Sequence, residues 1–115
     1  MAVIIEHMKE CCFVLAKGNL EGNDCREVAR AVRETASMDI KNVWVDCEHL
    51  TSISIQALRM VLAQTSVAEA TNVNLILFQV PAPLLKRIKE SGLDTVLHIV
   101  PTIQDAHHYC RARQQ

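Results

Sequence analysis

Two short runs of the sequence carry side chains that could hold a metal ion. They are Cys47-Glu48-His49 and His107-His108-Tyr109-Cys110. Zinc sites show paired ligands at a recognisable spacing, such as Cys-x-x-Cys followed by a second pair. Neither run has that spacing, and adjacent histidines on a helix point about 100° apart. We therefore predict no metal site.

The first run also offers one arrangement for nucleophilic catalysis, the Cys47 thiol with the His49 imidazole. A cysteine nucleophile needs a base close by and a polarised environment. Residues two apart share a face of a strand, but the predicted strand ends at Cys47. Cys47 is therefore interpreted as a small apolar strand residue. Because the sequence also lacks a Gly-x-Ser-x-Gly elbow and a glycine-rich phosphate loop, we expect neither catalysis nor a cofactor.

A third cluster of residues that could do chemistry is basic and consists of Lys86, Arg87 and Lys89. Such a group could bind a phosphate or an acidic partner. It equally fits the solvated face of a short helix, which is the interpretation adopted here. Trp44 stands within an apolar run and is predicted to lie in the core.

The composition narrows the class of protein. The chain has 115 residues, of which 50% are hydrophobic and 22% charged, as expected for one folded domain over residues 1–115. Twelve basic and thirteen acidic residues leave a net charge of −1, which argues against nucleic-acid or anionic-membrane binding. The apolar run Ala2–Ile5 is too short for a signal peptide, and no segment reaches the roughly 20 apolar residues of a membrane span. With five cysteines and no Cys-x-x-Cys, the chain is expected to be cytoplasmic, without membrane insertion.

The hydrophobic pattern predicts helices and strands in the order ββαβαβαβα. Helices that separate strands imply parallel neighbours, and a short first connection implies an antiparallel hairpin at Met8-Lys9-Glu10. The prediction is a five-stranded mixed α/β sheet packed with four helices. Predicted strands are Val3–His7, Cys11–Ala16, Val43–Cys47, Val73–Phe78 and Val96–Val100. Predicted helices are Asp24–Ser37, Ile55–Ala70, a short third that starts at Pro81-Ala82-Pro83 and stops at Ser91-Gly92, and a fourth that Pro101–Asp105 opens.

Local signals bound these helices. Asn23 or Asp24 could cap the first helix, after a loop predicted over Lys17–Asn23. Thr102 and Asp105 fit the capping pattern in which a hydroxyl and an acid three residues later bond each other's backbone.

The run from Val43 to Leu58 resembles the most recognisable stretch of a STAS domain, the fold of bacterial anti-sigma-factor antagonists. In that family a hydrophobic strand ends in Asp, a loop with a leucine follows, and Asp-Ser-Ser-Gly-Leu or a close variant opens a helix. Asp46, Leu50 and Leu58 match this pattern. The resemblance covers nearly the whole chain and implies a STAS-like fold. Two further matches are Gly18-Asn19-Leu20 and Ser91-Gly92-Leu93.

The residues that open the second helix depart from the family pattern. Ser54 stands in place of the motif Asp, Ile55 in place of the regulatory serine, and Gln56 and Ala57 in place of Ser and Gly. A phosphate at a helix start meets free N–H groups and adds a charge of about −1.5 to −2. Ile55 cannot be phosphorylated, so the usual switch is not assumed. An exposed Ile55 would suit a permanently docked partner, whereas a buried Ile55 would belong to the core.

Three hydroxyls near this helix start are the candidates for phosphorylation: Ser54 first, then Ser52 and Thr51. Ser54 also fits a helix N-cap, and the other two also fit ordinary polar loop residues. The family resemblance places the partner-binding residues here; Arg59, one turn into the helix, could equally be a solvated charge. The predicted partner-binding residues are Asn19, Glu21, Ser52, Ser54, Ile55, Gln56 and Arg59.

The resemblance implies a non-catalytic protein-interaction module in signalling and transcription regulation. Its partner would be an anti-sigma factor or a related switch kinase of a bacterial cell. Two alternatives stay open. The chain could be an accessory subunit of a membrane lipid-transport complex, with a transporter ATPase subunit as an obligate partner. It could also be a small-molecule or nucleotide sensor, with the ligand at helix N-termini near the strand ends.

Overall fold

The computed structural model describes residues 3–7 and 11–114, with the side chains of this part given as far as Arg111. The hairpin connection predicted at Met8-Lys9-Glu10 lies outside the described residues. The strands are β1 Val3–His7, β2 Cys12–Leu20, β3 Asn42–Ile53, β4 Asn74–Phe78 and β5 Ile99–Val100. The helices are α1 Cys25–Ser37, α2 Ile55–Ala70, α3 Ala82–Glu90 and α4 Ile103–Gln114, with a 3-10 turn at Leu93–Thr95.

The five strands form one sheet in the order β1-β2-β3-β4-β5. β1 pairs with β2 antiparallel, and every later pair is parallel. The predicted mixed α/β sheet with four helices is therefore confirmed. Because each parallel connection contains a helix, the carboxyl ends of β2, β3, β4 and β5 meet at one edge of the sheet.

The predicted ends of β2 and β3 are wrong. Both strands run on through segments expected to be loops, and their polar ends pair with each other as far as Leu20 and Ile53. Leu20, Leu50 and Ile53 are buried. Strand pairing satisfies the backbone groups of both segments at once, which neither segment reveals alone.

Gly18 explains how the extended part of β2 accommodates an irregular register. It has a left-handed φ of 68°, and the β2–β3 register shifts on both sides of it, between Leu15 and Lys17 and between Gly18 and Asn19. A glycine adopts this conformation without the steric penalty of a Cβ, so the strand bulges and continues.

The last strand is shorter than predicted. Residues 93–95 form the 3-10 turn, Val96 is exposed, and β5 contains only Ile99 and Val100. Gly92, with φ 80°, ends α3 in the left-handed conformation typical of glycine at a helix C-terminus.

The core has two parts, one on each face of the sheet. The larger part packs α1, α2 and α3 against inward residues such as Val14, Val45 and Leu75. The smaller part packs α4 against Trp44 and Ile76. Trp44 is buried as predicted, and its indole Nε1 donates to the Cys110 Sγ at 3.4 Å.

Helix capping matches the prediction at α4 and contradicts it at α1. The Asp105 backbone N–H donates to the Thr102 hydroxyl at 3.2 Å, and the Thr102 N–H donates to the Asp105 carboxylate at 3.1 Å. Asp24 precedes α1 in a helical conformation, so its carboxylate makes no capping bond and instead accepts from the Glu21 N–H at 2.9 Å.

Candidate functional site

The ends of β2 and β3 and the start of α2 converge at the carboxyl edge of the sheet. Asn19 lies opposite Ser52 in the β2–β3 pairing. The Ser54 N–H then donates to the Leu20 carbonyl at 3.0 Å, which anchors the chain as it enters α2. The sheet thus brings together three of the predicted partner-binding residues, which come from distant parts of the sequence.

A small polar network forms on this edge. The Asn19 Oδ1 accepts hydrogen bonds from the Thr51 hydroxyl at 3.0 Å and from the Ser52 hydroxyl at 2.7 Å. Thr51 is exposed and Ser52 is half-buried. Both phosphorylation candidates are therefore held by one amide oxygen, and a phosphate on either would replace a donor by a charged acceptor.

Ser54 caps α2. Its backbone is extended, with ψ 158°, and its hydroxyl accepts the Ala57 N–H at 3.0 Å. Its carbonyl accepts the Leu58 N–H, also at 3.0 Å. This geometry satisfies a backbone donor that the helix itself leaves unpaired.

Ile55, the first residue of α2, projects outward with 57% of its surface exposed. Gln56 and Arg59 are exposed beside it, while Ala57 and Leu58 are buried. The sequence left open whether the Ile55 side chain is exposed or buried, and the structure shows that it is exposed. An exposed isoleucine at a helix start is surrounded here by polar groups.

Gly22 belongs to the site and was missed by the sequence reasoning. A Cβ at Gly22 would come within 3.0 Å of the Gln56 side-chain Cδ. The loop before α1 therefore packs tightly on the Gln56 side chain, which would have to shift to admit a Cβ at this position. Glu21, the preceding residue, is exposed, so the loop contributes a carboxylate to the rim. The Gly-Asn-Asp run gave a loop signal but no sign of its contact with α2.

The outward face of α2 exposes further apolar residues beyond Ile55, alongside polar Gln56 and Ser66. Val67 is 40% exposed, and Ala63 and Ala70 are exposed as well. Arg59 and Glu69 are the only charged residues between Ile55 and Ala70. A helix face turned to water is normally rich in charged residues.

Cys47 and His49 do not form a catalytic pair. Cys47 is buried, whereas His49 is exposed, and burial is the main reason that the pKa of the Cys47 thiol rises to about 12. A neighbouring Asp46 carboxylate raises it further. A thiol with such a pKa is protonated at neutral pH and is a poor nucleophile. All five cysteines are buried, and none of them forms a disulfide within the described part of the chain.

The histidines near the end of the chain and the basic residues of α3 are not gathered into one site. His107 and His108 are both exposed, and the His107 ring packs edge-on against Trp44, with ring centroids 4.5 Å apart. The residues that the structure describes hold no group of three or more His, Cys, Asp or Glu placed to bind one metal ion. The basic residues Lys86, Arg87 and Lys89 are exposed on α3.

The fold also assembles a polar chain that the sequence does not reveal. The His98 Nε2 lies 3.1 Å from the Glu69 carboxylate, and the His98 Nδ1 lies 3.0 Å from the Tyr109 hydroxyl. The two ring nitrogens of His98 thus bridge the Glu69 carboxylate and the Tyr109 hydroxyl, and the tautomer sets which of them donates. The chain joins the end of α2 to α4 across the sheet edge.

No described helix combines the length and the apolar character needed to cross a lipid bilayer.

Comparisons with known proteins give one family and one fold. The STAS domain model matches residues 2–106. The unphosphorylated anti-sigma factor antagonist SpoIIAA shares 17% identity at a TM-score of 0.68, over 96% of this chain and 98% of SpoIIAA. An anti-sigma factor antagonist from Mycobacterium paratuberculosis shares 16% sequence identity with a TM-score of 0.75, over 95% of this chain and 92% of that protein. SLC26A9 shares 13% sequence identity with a TM-score of 0.73, and the match covers 94% of this chain but only 21% of SLC26A9. No curated protein matches the sequence.

Proposed function

Because the chain belongs to the STAS domain family, we propose that it is a non-catalytic module that docks a regulatory protein through the start of α2. STAS domains are generally interaction modules rather than enzymes. The observation that carries the proposal is Ile55, which is 57% exposed at the position where the family pattern has its regulatory serine.

The proposed docking face has an apolar centre and a polar rim. Ile55 is the centre, and the rim consists of Asn19, Glu21, Ser52, Gln56 and Arg59. Protein interfaces commonly have this layout, in which a desolvated apolar anchor supplies most of the affinity and polar neighbours set specificity. Ser54 lies beneath the face as the cap that orients Ile55.

The hydroxyls that could be phosphorylated lie at other positions than the regulatory serine of the family pattern. Ser54 uses its hydroxyl oxygen as the α2 cap, so a phosphate there would have to share or replace that bond. Ser52 and Thr51 lie on the rim, bonded to Asn19. A phosphate on Ser52 would add negative charge beside the docking face, and this would weaken an acidic partner's binding. Ile55 itself leaves the centre of the face permanently apolar.

The proposed partner is an anti-sigma factor or a related switch kinase. Support comes from the anti-sigma factor antagonists among the similar structures. Docking of such a partner would release the sigma factor that it holds.

The experiment is affinity capture from lysate of the source cell, with bound proteins identified by mass spectrometry. An anti-sigma kinase retained by the wild type and lost with Ile55→Lys is the expected result. Met38→Lys is the matched control, because Met38 is 52% exposed at the far end of α1. Equal loss in both variants, or equal retention, would contradict the proposed face.

A second candidate is an accessory subunit of a membrane transport complex. The permanently apolar Ile55 favours it, because obligate interfaces are more apolar than transient ones. The similarity to a part of SLC26A9 is consistent with a STAS domain in a transport protein. Capture of a transporter ATPase subunit through Ile55, in place of a kinase, would select this candidate.

A further inference from the structure

An open cleft of about 440 Å³ lies beyond the carboxyl ends of β4 and β5. Its volume falls within the range of about 300–1,000 Å³ typical of small-molecule sites. No residue of the docking face lines it. The cleft is lined by Val80, Leu85, Ile99, Val100 and Pro101, with Lys89 and Asp94 as its charged groups.

Local structure explains why these residues meet. Leu85 and Lys89 are four residues apart on α3 and so share a face of the helix. The left-handed Gly92 then reverses the chain, and the 3-10 turn that follows brings Asp94 to the same cleft. Val80 lies two residues after β4 and Pro101 directly follows β5, at the strand ends where parallel sheets commonly bind ligands.

The two charged groups of the cleft are not paired with each other. Within the described part of the chain, neither the Lys89 ammonium nor the Asp94 carboxylate belongs to an ion pair. The cleft therefore presents one positive group, one negative group and an apolar surface formed by half-buried Val80, Leu85 and Ile99. A complementary ligand carries both charges and an apolar body.

We propose that this cleft binds a small zwitterion with an apolar body, the chemistry of a free apolar amino acid or dipeptide. The ligand carboxylate binds the Lys89 ammonium, and the ligand ammonium binds the Asp94 carboxylate. The ligand side chain covers Val80 and Leu85. Because the cleft is open and both charges are exposed, the ion pairs are screened by water and the expected affinity is modest, with a Kd of about 0.1–1 mM.

The test is an NMR titration of the 15N-labelled full chain with leucine and with leucyl-leucine. The expected result is saturable shifts at the amides of residues 80, 85, 89, 94 and 99. N-acetyl-leucine lacks the ammonium group, and leucinamide lacks the carboxylate. Each should bind about two- to fivefold more weakly than leucine, the scale expected for loss of one exposed ion pair.

Variants at Lys89 and Asp94 show which charged group of the ligand each residue binds. Lys89→Met should weaken the binding of leucine about two- to fivefold but not that of leucinamide, and Asp94→Asn should weaken the binding of leucine but not that of N-acetyl-leucine. The matched controls are Lys86→Met and Glu90→Gln, exposed residues of the same helix that do not line the cleft. Both controls should bind leucine like the wild type.

Several outcomes would overturn the proposal. One is equal binding of leucine and its two blocked derivatives, which would leave only an apolar patch. Another is the absence of saturable shifts at the cleft with either zwitterion up to about 20 mM, a limit well above the expected Kd. Binding of an extended peptide with blocked termini, but not of leucine, would make the cleft a peptide groove instead. Partner capture through Ile55 is measured separately, so the two proposals fail independently.

Discussion

α1 and α2 pack side by side on the same face of the sheet, and both bury a continuous apolar face against it. Their outward faces differ. α1 exposes Arg26, Arg30 and Arg33, and the Arg30 guanidinium pairs with Glu27 at 2.6 Å and with Glu34 at 3.7 Å.

α2 instead exposes Ile55 and Val67, with Arg59 as the charge between them. Since both helices belong to one core, the difference cannot come from packing against the sheet. The outward face of α1 is suited to water, and we propose that the outward face of α2 is suited to a partner. Both helices stabilise the fold through their buried faces, and we assign partner recognition to the outward face of α2 alone.

The largest expected effect is on the shared buried side. Leu58→Ala should lower the free energy of unfolding by about 2–5 kcal/mol, because it leaves a cavity beneath α2. Urea denaturation monitored by circular dichroism measures this change. Val32→Ala beneath α1 should also destabilise the protein, by a smaller amount. If either variant were as stable as the wild type, the two helices would not share a core equally.

The next effect separates the outward faces. Ile55→Lys should weaken partner binding by at least about 2 kcal/mol, as for a central anchor, yet change stability by less than about 0.5 kcal/mol. Val67→Lys should weaken binding less, because Val67 lies three turns farther along α2. Isothermal titration calorimetry with the captured partner gives both values. A greater loss at Val67 would move the centre of the interface along the helix.

The cap of α2 gives a smaller effect on stability. Ser54→Ala should destabilise the protein by about 1 kcal/mol, because the Ala57 N–H loses its acceptor. Ser54→Asp should retain most of that stability, since aspartate also caps helices. Thermal unfolding distinguishes the two variants. A wild-type melting temperature for Ser54→Ala would show that the hydroxyl is free for another role.

The smallest effect is expected on the outward face of α1. Arg30→Ala removes two exposed ion pairs and should cost no more than about 0.5 kcal/mol, a loss that added salt should diminish. Partner binding should not change. Urea denaturation at low and high salt measures the stability, and weaker partner binding in this variant would extend the docking face onto α1.

Much of the fold follows from short stretches of sequence. Helical spacing of apolar residues places α1 and α2, and the hydroxyl-acid pattern places the start of α4. The ends of β2 and β3 could not be predicted in this way. Their polar residues, such as Asn19 and Ser52, carry no strand signal, and only their pairing with each other makes them strand.

The candidate site divides in the same manner. Its location follows from the motif between Asp46 and Leu58, and the replacement of the regulatory serine by Ile55 is visible in the sequence alone. The contacts of Gly22 with Gln56 and of His98 with Glu69 are not visible there. Each joins residues about 30 positions apart, so no local pattern encodes it.

The sequence by itself determined the order of helices and strands, the start of α2 and the family, because capping, periodicity and motif spacing act over a few residues. Only the tertiary structure decided whether Ile55 is surface or core. A residue at a helix start faces water or the sheet according to how the helix is rotated on its packing surface. For α2 that rotation is set by burial of Ala57, Leu58 and Val61 against residues from other elements of the fold.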